Sequence, residues 1–371
     1  MNSTDSSPVE SPAGASLVFI PLPFSGHIRS MVAFANLLAD RHPPVSVTIF
    51  VMHLPFDPAA TAYAHSLTSP RTRLVHLPPT ALDATDTPTS FLARITALIQ
   101  KQKQHIRRGV ADMIAASDPG GRPRLAGFVV DMTCMCMADV AEEFGVPTYM
   151  FFAAGASYLG LALHLLALED DRGQACVDFI DAEMEVEVPG FSVRVPAGKV
   201  LPSMLLDKHE STEFINMMRR FREAKGILVN TFHALESHAV ESLQKGGRGT
   251  PPIYVVGPVL DLEGKACNGK QEEILRWLDQ QPTSSVVFLC FGSMGYFDAE
   301  QVREIARGLE LCGHRFLWSL RRPPRSSDIQ ADEYPDPEEV LPEGFLRRTA
   351  GKGRVIGWAA QMAVLSHSSV G

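Results

Sequence analysis

Residues 125–152, "LAGFVVDMTCMCMADVAEEFGVPTYMFF", decide the fold. The apolar run from Leu125 to Val130 ends on Asp131, "ADVAEEFG" follows with helical patterning, and "VPTYMFF" is again almost wholly apolar. Strands that are apolar on both faces suit a parallel sheet buried on both sides. Two such strands cannot be joined by a hairpin, and the helical stretch between them supplies the crossover they need.

The same rhythm extends in both directions. Upstream come "SLVFIPL", a helix from about Gly26 to Arg41, "VSVTIFV" and a long helix over 90–117. Downstream come "KGILVNTF", a helix over 233–245 and "PIYVVGP". The alternation predicts an α/β fold of parallel sheets covered by helices on both faces. After "VVGPVL" the chain turns polar in "DLEGKACNGKQEE" before "ILRWLDQQPTSSVVFLCFGS" restarts the pattern. The expected organisation is a disordered arm over 1–15, a first lobe over 16–258, a linker over 259–272 and a second lobe over 273–371. The second lobe carries "SVVFLCF", a helix from Asp298 to Cys312, "HRFLWSL", an acidic proline-rich excursion over 322–343, and "GRVIGW".

Composition narrows the function classes. A chain of 371 residues, 45% hydrophobic and 20% charged, is a globular chain of two domains, neither fibrous nor disordered. A net charge of −8 without a long Lys/Arg cluster opposes a nucleic-acid surface, so small molecules are the expected partners and a monomer the expected state. The six cysteines are scattered, and the close pair Cys134 and Cys136 lacks C-x-x-C spacing, so they read as structural thiols and no metal is expected. The N-terminal "MNSTDSSPVESPAGAS" lacks the cationic and apolar regions of a signal peptide, which predicts a cytoplasmic chain.

Two stretches imitate other functions. Residues 150–168, "MFFAAGASYLGLALHLLAL", are long enough for a membrane span, but Gly155, Ser157, Tyr158 and His164 interrupt them. They read instead as a buried strand followed by a buried helix. "GKACNGKQ", 264–271, has phosphate-loop spacing up to Lys270, yet Gln271 stands where Ser or Thr would hold magnesium and no buried strand leads into the turn. It reads as linker.

The first strand ends in "PLPFSGHIRSM" rather than G-x-G-x-x-G, which argues against a dinucleotide cofactor and an oxidoreductase. His27 falls at the mouth of the first helix, where the macrodipole favours the neutral imidazole a general base requires. It is either that base or an ordinary surface or capping residue. Asp131 ends another strand of the same sheet, so both belong to one sheet edge. Asp131 is either the orienter of His27 or a strand-end cap. No G-x-S-x-G elbow accompanies them, which excludes the usual serine hydrolase. In the second lobe, Gly292, Ser293 and Gly295 either present backbone N–H groups to phosphate or form a tight turn. Trp358 either stacks a base or belongs to the core.

These segments together resemble the plant family of UDP-sugar-dependent glycosyltransferases acting on small molecules, from about residue 16 to the end. "PLPFSGHI" is similar to the family's histidine segment, and "FVVDMTCMCMADVAEEFGVPTYMFF" to its aspartate segment. "PPIYVVGPVLDL" resembles the passage into its second domain, and "LPEGFLRRTAGKGRVIGWAAQMAVLSHSSVG" the approach to its donor-binding box. The resemblance implies a GT-B fold of two Rossmann-like lobes, the second incomplete. It implies inverting transfer of a sugar, with glucose expected, from a UDP-sugar to a hydroxyl of a phenolic, flavonoid or terpenoid acceptor, with no cofactor and no metal.

Carried over by position, the resemblance makes His27 the base and Asp131 its charge-relay partner. Ser25 and Gly26 would lie beside the sugar, and Ser293 and Ser319 near the UDP. Trp358 would stack on uracil, while the Ala359 backbone and Gln361 would contact uracil and ribose. Ala153 stands where members often have Thr, and Ala360 where the box has Pro. The family's H-C-G-W-N-S segment and acidic-Gln pair are absent, so the alternative expectation is an inactive fragment that keeps only the acceptor-binding lobe. Loops such as 80–95 and 185–210 would shape the acceptor pocket.

Overall fold

Whether an apolar run becomes a sheet strand depends on having two faces to bury, and the runs of this chain have both. The computed structural model describes residues 14–54, 58–67, 69, 71–82, 90–116, 124–175, 185–196, 207–246, 249–260, 269–292, 295–324 and 332–371. These fall into two compact units that divide between Leu260 and Asp261. Ser293, Cys176, Cys267, nearly all of the N-terminal arm and the centre of the expected linker lie outside the described residues.

The first unit runs β1 (Ala15–Ile20), α1 (Ser25–Arg41), β2 (Val45–Val51), α2 (Pro58–Ser66), β3 (Thr72–His76), α3 (Phe91–Ala115) and β4 (Arg124–Asp131). A 3₁₀ turn over Met132–Met137 leads into α4 (Ala138–Glu143), β5 (Thr148–Phe152) and α5 (Ala156–Arg172). A small hairpin, β6 (Glu185–Val186) and β7 (Val195–Pro196), precedes α6 (Lys208–Arg219), β8 (Gly226–Val229), α7 (His233–Gln244) and β9 (Ile253–Val255). The long strands form one parallel sheet in the order β3-β2-β1-β4-β5-β8-β9.

Period-two alternation divides each central strand between two cores. Val18, Ile20, Phe128, Val130, Met150 and Phe152 face the larger core, which α3, α5, α6 and α7 close. Phe19, Val129 and Phe151 face the other, which α1 closes with Ile28, Met31, Val32, Ala35 and Ala39. The candidate span therefore resolves into β5, a turn and α5. No helix among the described residues is long and apolar enough to cross a membrane.

The second unit runs α8 (Gly269–Asp279), β10 (Val286–Leu289), α9 (Ala299–Cys312), β11 (Arg315–Ser319), a short hairpin of β12 (Arg321–Arg322) and β13 (Asp332–Glu333), α10 (Phe345–Arg348), β14 (Gly353–Ile356) and α11 (Gln361–Leu365). Its parallel sheet is ordered β10-β11-β14. Phe316 and Trp318 pack with Val302 and Phe345 on one face, while Leu317 packs with Ile274, Leu278 and Val364 on the other. Asp298 caps α9 in a reciprocal box with Gln301, and Gly313 ends it in the left-handed conformation at φ 66°. α8 begins at Gly269, inside the stretch the sequence assigns to linker. After α11 the chain turns along the edge of β10, where Val370 forms a parallel bridge with Val286.

Candidate active site

β1 and β4 are hydrogen-bonded neighbours, with Ile20 opposite Val130, so the residues that follow them emerge at one sheet edge. Past β1, Phe24 is the extended N-cap of α1 and makes no side-chain cap bond, so the first-turn amides, including those of Ser25, Gly26 and His27, lack a side-chain partner from it. A Cβ on Gly26 would meet nothing within 4 Å. Packing therefore does not explain this glycine, and a bound group could approach the backbone closely there.

His27 Nδ1–H donates to Asp131 Oδ2 at 2.8 Å. Asp131 is fully buried, whereas the His27 side chain keeps 31% of its surface exposed. The other carboxylate oxygen, Oδ1, accepts from the Thr133 N–H and hydroxyl, both at 3.2 Å. One oxygen of Asp131 therefore caps the 3₁₀ turn while the other meets the imidazole. A carboxylate acceptor places the imidazole proton on Nδ1 and leaves Nε2 as the basic nitrogen.

The macrodipole at the mouth of α1 does not decide the charge of His27. Burial does oppose protonation of His27, but the Asp131 charge and hydrogen bond outweigh it and hold the pKa above the ordinary 6.5. The dipole of one helix turn is a smaller influence than a carboxylate in direct contact.

A residue the sequence reading missed braces the neighbouring strand end. Glu236, on α7, accepts from the Ala156 and Ser157 N–H groups at 2.8 and 2.9 Å, from the Ser157 hydroxyl at 2.7 Å and from the Thr231 hydroxyl at 2.5 Å. It caps α5 from another helix, directly after Ala153 and Gly155. A Cβ at Gly155 would lie 2.8 Å from both carboxylate oxygens, which explains that glycine. No local pattern could reveal a cap 80 positions away.

In the second unit Trp358 follows β14 with 38% of its surface exposed, Ala359 is buried, and Gln361 opens α11 as an exposed residue. Ser319, at the end of β11, is 7% exposed and donates its hydroxyl to Gly357 O at 2.7 Å. That proton braces the turn before Trp358 and is not free for a ligand. Gln271, the residue that spoils the phosphate-loop spacing, is 3% exposed. Its Oε1 accepts from Ala360 N–H at 2.8 Å and its Nε2 donates to Trp358 O at 3.4 Å.

Cys134, Cys136, Cys290 and Cys312 are free thiols. Burial holds Cys134 well above the ordinary thiol range and pushes Cys136 up to about 11. Burial thus disfavours the thiolate that a nucleophile needs at both positions.

No family model matches the chain. UDP-glycosyltransferase 71E1 of Stevia rebaudiana is 48% identical to it over 357 residues, which are 96% of this chain and 74% of that protein. UDP-glucose flavonoid 3-O-glucosyltransferase 6 of Fragaria ananassa is 44% identical over 368 residues, 96% of this chain and 75% of that protein. Among solved structures, a glycosyltransferase of Siraitia grosvenorii in complex with UDP superposes with a TM-score of 0.82 at 42% identity, covering 96% of this chain and 76% of that one. UGT71G1 of Medicago truncatula, complexed with UDP-glucose, gives 0.79 at 34% identity over 96% of this chain and 75% of that one. With its two parallel-sheet units and a smaller second sheet, the chain belongs to the plant UDP-glycosyltransferase family of the GT-B fold.

Proposed function

We propose that the chain transfers glucose from UDP-glucose to a hydroxyl of a small phenolic, flavonoid or terpenoid acceptor, with inversion at the anomeric carbon. The observation that carries this reading is the 2.8 Å contact between His27 Nδ1 and the buried Asp131. His27 Nε2 takes the acceptor proton as the acceptor oxygen bonds to the anomeric carbon. The bond from that carbon to the diphosphate breaks, and UDP leaves with the electron pair. Asp131 stabilises the imidazolium that results. Ser25 and Gly26 line the sugar, Trp358 stacks on uracil, and Ala359 and Gln361 meet uracil and ribose. Ser319, its proton committed to Gly357, acts by holding the turn before Trp358. Ser293 is assigned to the UDP phosphates on the resemblance alone.

The acceptor class follows from relatives named for flavonoid glucosylation. Free thiols at Cys134, Cys136, Cys290 and Cys312 fit a cytoplasmic protein. The test is product formation from UDP-glucose and a flavonol panel by the chain and by His27→Ala. Glucoside formed by the parent and lost in a folded His27→Ala supports the proposal. Equal rates, or no product from a folded chain that binds UDP-glucose, overturn it.

A further inference from the structure

We propose that His53, His65 and His76 form a binding site for one divalent transition-metal ion of the zinc or nickel class. The proposal stands apart from the sugar-transfer reading. His53 lies two residues past β2, His65 in the last turn of α2, and His76 at the end of β3. Three elements thus converge beside the strand that leads to His27.

Each histidine offers one ring nitrogen, and these three atoms all lie within 4.8 Å of one another. His76 Nδ1 and His53 Nε2 share a hydrogen bond at 3.2 Å. Two nitrogens that share a tetrahedral ion at about 2.1 Å stand about 3.4 Å from each other, so this pair already has the separation of two ligands. The rings lie face to face, with centroids 4.5 to 5.3 Å apart and planes inclined by 10° to 20°. His65 and His76 are exposed, so rotation of their side chains can bring the third nitrogen in, and the same exposure gives an ion its entry path.

The hydrogen bond between His53 and His76 leaves one buried nitrogen of the group unaccounted for. His53 is only 9% exposed, and its Nδ1 is buried with no hydrogen-bond partner among the described residues. In the metal-free chain one nitrogen of the His53–His76 pair carries the proton of their hydrogen bond, and an ion would displace that proton on binding. An all-imidazole donor set suits zinc, copper or nickel and does not suit calcium or magnesium. Three protein ligands leave a fourth position for water. A bound ion would tie β2, α2 and β3 together and stabilise the fold by mass action.

The test is calorimetric titration of the metal-stripped full chain with zinc chloride and with nickel chloride, alongside thermal melting. The expected result is one saturable ion per chain and a raised melting midpoint. His65→Ala and His76→Ala, both at exposed positions, should bind at least about tenfold more weakly and lose that rise, while the metal-free melt and circular dichroism of His65→Ala match the parent. His314→Ala, a control in the second unit, should bind as the parent does. Cobalt(II) should give the intense visible bands of a tetrahedral site in the parent and not in His65→Ala. Absence of saturable binding, or equal binding by folded His65→Ala and His76→Ala, overturns the proposal.

Discussion

Gln271 Oε1 accepts the Ala360 N–H at 2.8 Å, so one buried side chain of α8 fixes backbone 89 positions further along the chain. With its Nε2 on Trp358 O, it brackets Ala359 from both sides. The exposed Trp358 ring is thus carried on a backbone held by another helix.

Removing that bracket should weaken nucleotide binding without touching the nucleotide. Gln271→Ala leaves backbone groups unpaired at a cost of about 1–3 kcal/mol, and UDP-glucose affinity is expected to fall about fivefold or more. Trp358→Ala should cost about 1–3 kcal/mol through lost stacking. If Gln271 acts through Trp358, the double variant should fall little below Trp358→Ala alone. Calorimetric titration measures all three, and a folded Gln271→Ala with parental affinity would refute the role.

Glu236 gives a prediction about stability. Burial raises its carboxyl pKa, but the bonds from Thr231, Ser157 and Ala156 outweigh burial and set it below the ordinary 4.5. A carboxylate whose folded pKa is depressed contributes stability above its unfolded pKa and loses it as pH falls through the folded value. Glu236→Gln should therefore lower the urea midpoint at pH 7, at a cost of about 1–3 kcal/mol. As pH falls below 4.5 and through the depressed folded value, the parent loses the same charge and the gap between the two should narrow. A gap independent of pH would contradict this account.

The His27 pKa can be read directly. Nuclear magnetic resonance titration of histidine-labelled protein should place it above 6.5 in the parent. In Asp131→Asn the burial remains while the charge is gone, so the value should drop below 6.5. The sign for stability is opposite to that of Glu236. The contact with protonated His27 stabilises the fold below the imidazole's unfolded pKa, and that contribution disappears as pH rises through the folded value.

Local pattern carried the first lobe well because its strands bury both faces. Runs such as "VSVTIFV" and "PTYMFF" are apolar throughout, and they are β2 and β5 almost residue for residue. The helices α2 and α6 and the strand β3 escaped notice. β3, "TRLVH", lies at the sheet edge and carries only Leu74 and Val75 among polar residues, so its apolar signal is diluted. The pairing of His27 with Asp131 was legible because strand ends in a parallel sheet share an edge. The roles of Glu236 and Gln271 were not, since each acts on backbone 80 or more residues away. Ser319 was legible as a strand end but not as a donor already committed to Gly357.

The proposed glucosyl transfer rests on Asp131 making His27 its base. Its most direct test is the pH dependence of kcat/KM for transfer from UDP-glucose to a flavonol, measured for the parent and for Asp131→Asn. The account predicts a parental rate that rises with pH through a value above 6.5. Asp131→Asn should be slower by about 10²–10⁴, with the limb displaced to lower pH. A folded Asp131→Asn with the parental rate and profile would contradict the account.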